Sequence, residues 1–466
     1  MASNKLAKNT IIYALGDILP KVFNLITFPI LTSYLPIADY GVVNYVYSIE
    51  LFLTIITFLC LKTYYLVHYY KVGNEIEQKK LLGNLTIVVT ILNVVISLAL
   101  LGIGPFLFKS IGSEVNFYPY IALGVCINFL SIFSQLPSAL YRVRENPLPL
   151  TMINILQGAL VMMLTIVFVV REPKAETVLL VKLVVTTICS TVFIIVTIKN
   201  AIFEFNKKQL KDALRFSLPL VPGDIAYYFT SMSDRILIER FLTVIELGVY
   251  STASTLSGLL NIISYGAYKA FEPYFFKTYG QIDFKHRFVK IRDTLMFVVI
   301  SGAIGLCIFS LDVLKLFASE DYLDSYFYVP ILVLGVCIST LASLYGTVLT
   351  AQSKTKTNGA ISVICAFFSV GINLIFLPII GILSAPIAAV GVFLIRYFAQ
   401  KFFTHLKVPI LRPFIAFIVS VVFVVFIVYV ICDLNIYVRT IGYIIVVLII
   451  MRILKINIKE LNILKK

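Results

Sequence analysis

Asp17, Lys21 and Glu50 are charged residues inside apolar runs long enough to cross a bilayer. There each ionised side chain costs about 2.5–3.5 kcal/mol on insertion scales. Counted from the ends of their runs, Lys21 and Glu50 lie near the midplane. Asp17 precedes Lys21 by one helical turn, the i, i+4 spacing that allows an ion pair along one face. Farther along, Asp224, Asp234, Arg235 and Arg396 also interrupt apolar runs, while Lys62 and Lys269 close two of them. Side chains of this kind face a bundle interior or a water-filled passage. The chemistry open to such a set is electrostatic: cations hold a passing anion, and carboxylates take and release a proton or a small cation. Two plainer readings stay open. Asp17 and Lys21 can simply neutralise each other, and Lys62 and Lys269 can be orientation anchors at inner helix ends. A hydrated cavity accommodates the whole set at lower cost than separate buried partners. Asn24, Thr27, Asn44 and Tyr45 add amide and hydroxyl groups to the first two runs, either for a sugar or as bridges between helices.

The elements that carry these residues are legible in composition. The chain has 466 residues, 60% of them hydrophobic and only 14% charged, with a mean hydropathy of +0.97. Soluble domains carry about 25% charged residues. The expected fold class is therefore all-α, a polytopic membrane protein. A hydrocarbon core about 30 Å thick needs roughly 20 apolar residues per helix, and fourteen such runs can be marked out. They are continuous rather than alternating in polarity, which excludes a β-barrel. The net charge of +15 comes mostly from lysines and arginines in loops on one side of the spans. That asymmetry orients a membrane protein and does not indicate nucleic acid. Seven scattered cysteines show no metal-ligand or disulfide spacing. The first run is too long and too charged for a cleaved signal peptide and is expected to stay as an anchor.

Gly16-Asp17 recurs as Gly223-Asp224, Asp39-Tyr40-Gly41-Val42 as Glu246-Leu247-Gly248-Val249, and Lys62 as Lys269, all displaced by 207 positions. The chain reads as two parallel six-helix lobes related by an axis along the membrane normal. Expected spans are 10–34, 40–63, 83–104, 117–140, 148–170 and 177–198 in an N-lobe (1–198). A basic amphipathic linker follows (199–215). Spans 216–241, 246–270, 292–311, 325–349, 357–378 and 382–404 make a C-lobe (216–405). Two further helices (411–431 and 437–454) and a basic tail complete the chain (406–466). Both termini are expected on the cytoplasmic side. Pro20 and Pro29 in the first span, and Pro219 and Pro222 in the seventh, would kink two equivalent helices where cavity water can satisfy the freed backbone. Gly16 and Gly223 would allow close backbone approach.

Other chemistries lack their residues. No phosphate-binding loop precedes Ser353-Lys354-Thr355, so an internal ATP motor is not expected. The three histidines stand singly. The acidic segment Asp312–Asp324 is the nearest place for a glycosyltransferase's carboxylates, and it reads instead as a hydrated outer loop. No enzyme, metal or cofactor is expected beyond a coupling cation, H+ or Na+.

Asn9-Thr10 through Gly16-Asp17, Leu35 through Gly41, Asp234-Arg235-Ile236, Glu246 through Tyr250 and Leu316-Phe317 through Tyr322 carry a resemblance. With the six-plus-six-plus-two layout, the chain resembles the multidrug/oligosaccharidyl-lipid/polysaccharide exporter superfamily. Within it, the chain is similar to bacterial flippases for lipid-linked O-antigen (lipopolysaccharide) or capsule repeat units. The resemblance implies a V-shaped pair of lobes, alternating access, and polyprenyl-diphosphate-linked oligosaccharide moving from the cytoplasmic to the outer leaflet of the cell membrane. By position it implies Lys21, Lys62, Arg235 and Lys269 as cations for the diphosphate. Asp17, Glu50, Asp224 and Asp234 become cavity or ion-coupling acids, with Asn24, Asn44 and Arg396 also in the cavity. Membrane lipids and polysaccharide polymerase machinery are the implied partners. The chain lacks the dense arginines of the lipid II branch, which argues against a peptidoglycan precursor. A multidrug or metabolite antiporter is the alternative of the same fold.

Overall fold

A computed structural model describes residues 2–352, 354–409, 411–425 and 435–456; the side chains of 2–11, 13–15, 17, 267, 269–278, 355 and 425 lie outside the described residues. The described chain is helical throughout. Nine of its helices are long and apolar enough to cross a membrane, and 18–34 and 411–424 are shorter apolar ones. Contacts divide the chain into two compact units, 1–248 and 249–466.

In the first unit, α1 (Ala2–Tyr34) lies along α7 (Pro147–Arg171). The approach is close because small residues meet. A Cβ on Gly16 would lie 2.9 Å from Thr151 Oγ1, and one on Gly158 3.2 Å from the Pro20 Cα. Small residues are what membrane helices use where backbones pack together. The next helix, α2 (Ile37–Phe58), is central and touches α4 (Glu75–Ile111), α5 (Ala122–Ser131), α8 (Ala175–Asn200) and α10 (Val221–Phe241). It stops at Leu59 and Cys60, two left-handed residues (φ 47° and 57°), and the chain restarts as α3 (Leu61–His68). The expected span 40–63 is thus broken. Two non-glycine residues in this region cost roughly 1–2 kcal/mol each, and apolar periodicity gives no sign of them. Short α6 (Gln135–Val143) and surface helix α9 (Lys207–Ser217) pack on α3. Phe58, Leu61, Tyr65, Leu81, Leu85, Ile132, Leu136 and Leu140 fill the core there.

Helix α11 (Val244–Thr278) leads into the second unit, where α12 (Phe284–Phe317), α13 (Val329–Ala351), α14 (Thr355–Ile380) and α15 (Ser384–Thr404) follow. Last come α16 (Leu411–Val425) and α17 (Ile436–Ile453), both packed on α12. Asp312 belongs to α12, not to an outer loop, and its two carboxylate oxygens each accept from Arg439 of α17 at 2.7 Å. Outward faces are aliphatic: Val95, Leu98, Met163, Ile188, Phe367 and Ile379 are all exposed, as lipid requires and water would not tolerate.

The repeat survives in the element ends. Tyr34 ends α1 and Phe241 ends α10, while Ile37 opens α2 and Val244 opens α11; each pair stands 207 residues apart. Contact grouping nevertheless keeps α10 in the first unit. Pro20 and Pro29 lie inside α1. Pro219 and Pro222 fall where α9 passes through a 3-10 turn, Leu218–Leu220, into α10, so they interrupt a helical run that continues from Lys207 to Phe241. One expectation needs correcting: Gly223 has no atom within 4 Å of an added Cβ, so it marks no close backbone approach.

Candidate functional site

Two constellations in the first unit, one largely buried and one open to the surface, use charges of the kind picked out above. The first surrounds Glu50. Lys182, about two turns into α8, donates from Nζ to Glu50 Oε2 at 2.6 Å, and the same ammonium lies 3.6 Å from the centre of the Tyr47 ring. The pair is largely buried, with the Glu50 side chain 12% exposed and that of Lys182 25%. Oε1 of Glu50 is buried with no hydrogen-bond partner among the described residues. Asn128 of α5 secures the backbone at this turn, donating to the Glu50 carbonyl at 3.1 Å and to Thr54 Oγ1 at 2.7 Å. Sequence reading missed Lys182, although the rule that selected Glu50 applies to it equally: a lone charge inside an apolar helix.

The second is a polar cavity of about 190 Å³ lined by Gly16, Lys62, Ser134, Gln135, Ser138, Arg142, Thr151 and Asn154, with Leu150 and Phe193 completing the wall. The α2–α3 break turns Lys62 toward α6, where its Nζ donates to Gln135 Oε1 at 3.2 Å. Arg142 comes from the far end of α6. Lys62 is half-buried and Arg142 exposed; two cations with hydroxyl and amide neighbours suit an anion rich in oxygen, because charge-assisted hydrogen bonds are stronger than neutral ones.

The remaining residues fall as follows. Asp224 accepts from Cys60 Sγ at 3.0 Å, where the start of α10 meets the end of α2. Asp234 and Arg235 are half-buried and adjacent to each other, 3.8 Å apart, and Arg235 also reaches Met232 Sδ at 3.2 Å. Lys21 and Asn24 lie on an exposed face of α1. Asn44 donates to the Tyr40 carbonyl of its own helix, and Thr27 to that of Phe23; both serve local backbone. Arg396 is half-buried on α15 in the second unit. The side chains of Asp17 and Lys269 lie outside the described residues.

A further carboxylate escaped sequence reading. Glu239, 2% exposed at the outer end of α10, accepts from Ser113 Oγ at 2.5 Å and from the amides of Glu114 and Val115 at 2.7 and 3.2 Å. The Tyr45 hydroxyl reaches the same group. Successive backbone N–H groups in a turn form an anion-binding nest, and this one ties α10 to the α4–α5 turn. The turn residue Glu114 in turn accepts from the Val244 amide at 2.9 Å. Asp39 of the repeated motif accepts from the Ala175 amide at 2.8 Å, capping α8. Its counterpart Glu246 closes a capping box with Thr243 instead. The motif is shared, and the bonds are not.

Beside both motif residues the two glycines make a reciprocal contact. A Cβ on Gly41 would stand 2.2 Å from the Val244 carbonyl oxygen, and one on Gly248 2.2 Å from the Ile37 carbonyl oxygen. Each glycine therefore meets the repeat equivalent of the other's partner.

Comparison with curated proteins finds no match in sequence. Among solved structures, the lipid II flippase MurJ in an inward closed conformation is similar, with TM-score 0.76 and 15% identity over 95% of this chain and 98% of that one. An inward-facing multidrug resistance MATE family transporter of the MOP superfamily matches with TM-score 0.65 and 14% identity, over 84% of this chain and 98% of that one. An outward-facing one matches with 0.58 and 15%, over 87% and 96%. At such identities the likeness is one of fold, that of a polytopic helical transporter. The family model described as polysaccharide biosynthesis protein matches residues 6–279, more than half of the chain, which therefore belongs to that family.

Proposed function

We propose that the protein is a flippase that carries polyprenyl-diphosphate-linked oligosaccharide repeat units, for O-antigen or capsule, from the cytoplasmic to the outer leaflet by alternating access. In this reading it sits in the bacterial cytoplasmic membrane with both termini inside. It is coupled to an ion gradient, and it hands its product to the polymerase machinery. The observation that carries the reading is the polar cavity holding Lys62 and Arg142 in a fold whose outer faces are apolar. A diphosphate loses hydration on entering a low-dielectric region, and nearby cations then act far more strongly than in water. Arg142 can engage two oxygens at once and Lys62 supplies a mobile point charge. Ser134, Ser138 and Asn154 offer partners for further oxygens.

The test uses membrane vesicles containing the full-length protein and a fluorescent polyprenyl-diphosphate glycan. Lys62→Ala combined with Arg142→Ala is expected to slow translocation at least about tenfold, the loss of one charged hydrogen bond worth roughly 1.5–3 kcal/mol at each site. The protein's amount in the membrane should not change. A wild-type rate in the double variant overturns the reading. Altered drug tolerance on deletion, with surface glycan intact, would favour the antiporter alternative that the shared MATE fold raises.

A further inference from the structure

We propose that Glu50 and Lys182 form a proton–anion exchange pair: a proton taken up by Glu50 releases the Lys182 ammonium, which then holds a phosphate-class anion. The geometry supplies each half. Glu50 has two oxygens and, among the described residues, one bound cation, at 2.6 Å from Oε2, while Oε1 is buried with no partner among those residues. The carboxylate is therefore held on one side only. Adding a proton to it breaks no covalent bond and leaves Lys182 charged, with the face of Tyr47 as its remaining contact. A cation–π contact contributes about 0.5–2 kcal/mol, less than the several kcal/mol that burying an ammonium costs. An anion restores the balance.

Among the described residues, the titratable groups on the helices packed around the pair are these. On α2 itself Tyr40 and Tyr47 are the ionisable neighbours. Helix α5 presents the neutral Asn128. Helix α10 runs antiparallel to α2, with Asp224 beside Cys60 and Tyr228 against Phe52, so Asp234 and Arg235 come to about the depth of Glu50 and are joined to each other.

The inference depends on the flippase reading only for the identity of the physiological anion, which would be the substrate's diphosphate. Linkage fixes the signature. If Glu50 takes up a proton as the anion binds, affinity rises by up to about tenfold for each unit of falling pH, and about one proton enters per anion. Calorimetric titration of the full-length protein in nanodiscs with farnesyl diphosphate, in two buffers of different ionisation enthalpy, counts those protons. The ligand's own protonation is common to all variants, so the difference between wild type and Glu50→Gln reads the residue itself. Expected results are binding retained in E50Q with about one proton fewer taken up, and binding weakened at least about tenfold in Lys182→Met. If either single variant fails to fold, E50Q combined with K182M removes both charges together. It should bind weakly and show no difference in proton count from the ligand alone. An unchanged count in E50Q overturns the coupling while leaving the vesicle test of flipping untouched. Absence of binding in wild type and E50Q alike overturns the anion half.

Discussion

Gly41→Ala and Gly248→Ala each lower the thermal stability of the detergent-solubilised protein, and leucine at either position prevents accumulation of folded protein. The added Cβ would stand 2.2 Å from a backbone carbonyl oxygen in both cases. A flexible side chain could swing aside, but the Val244 and Ile37 carbonyls can retreat only if two helices separate. Overpacking of this kind costs about 1–3 kcal/mol for a single methyl and more for a larger group. Because the two glycines share one contact, the double alanine variant should be less than additive. Gly223→Ala is the control. Nothing lies within 4 Å of its added Cβ, so alanine there should be neutral or slightly stabilising through helix propensity. Size-exclusion elution after heating reads all of these variants. Equal melting of G41A, G248A and G223A would mean that the helices do not cross where described.

Arg292→Met is expected to have the second large effect. Arg292 is 1% exposed. Its Nε and Nη2 donate to Asp293 Oδ1 at 2.9 and 2.7 Å, and its Nη1 to the Pro409 carbonyl at 2.7 Å. Removing the guanidinium leaves a carboxylate 4% exposed without its main partner. Breaking a buried pair from one side costs about 3–5 kcal/mol. Arg412 stands near enough to Asp293 to take part of the load, which points to the lower end of that range. The paired change, Arg292→Met with Asp293→Leu, should recover most of the loss, since no charge is then left buried. What remains is the unmet Pro409 carbonyl, about 1–3 kcal/mol. If R292M melted like wild type, the pair would have to be solvated.

These two sites differ in how far the sequence announces them. The repeat diagonal is readable because helix ends keep their register: Tyr34 and Ile37 answer Phe241 and Val244. That the glycines on it touch is a fact of folding. Glu50 is readable as a misplaced charge, and its partner Lys182 follows from the same rule, but which charges pair depends on helix packing that no spacing encodes. Glu239 looks like a solvated residue at a helix end. Only the folded α4–α5 turn, with two amides and a hydroxyl converging on it, makes it buried. The α2–α3 break was invisible for a different reason. Leu59 and Cys60 are ordinary apolar residues in left-handed backbone, and hydrophobic pattern carries no information about the sign of φ. Gly223 misled because a glycine's small size shows in the sequence, and whether another helix comes up against it does not.

The mutual approach of Gly41 and Gly248 has an evolutionary corollary. A contact in which each copy offers the same patch to the other is what a two-fold homodimer makes. A half-length ancestor carrying one such glycine could have paired with a second molecule of itself through this patch before duplication joined the two copies. Its interface would then survive as an internal seam in the fused chain.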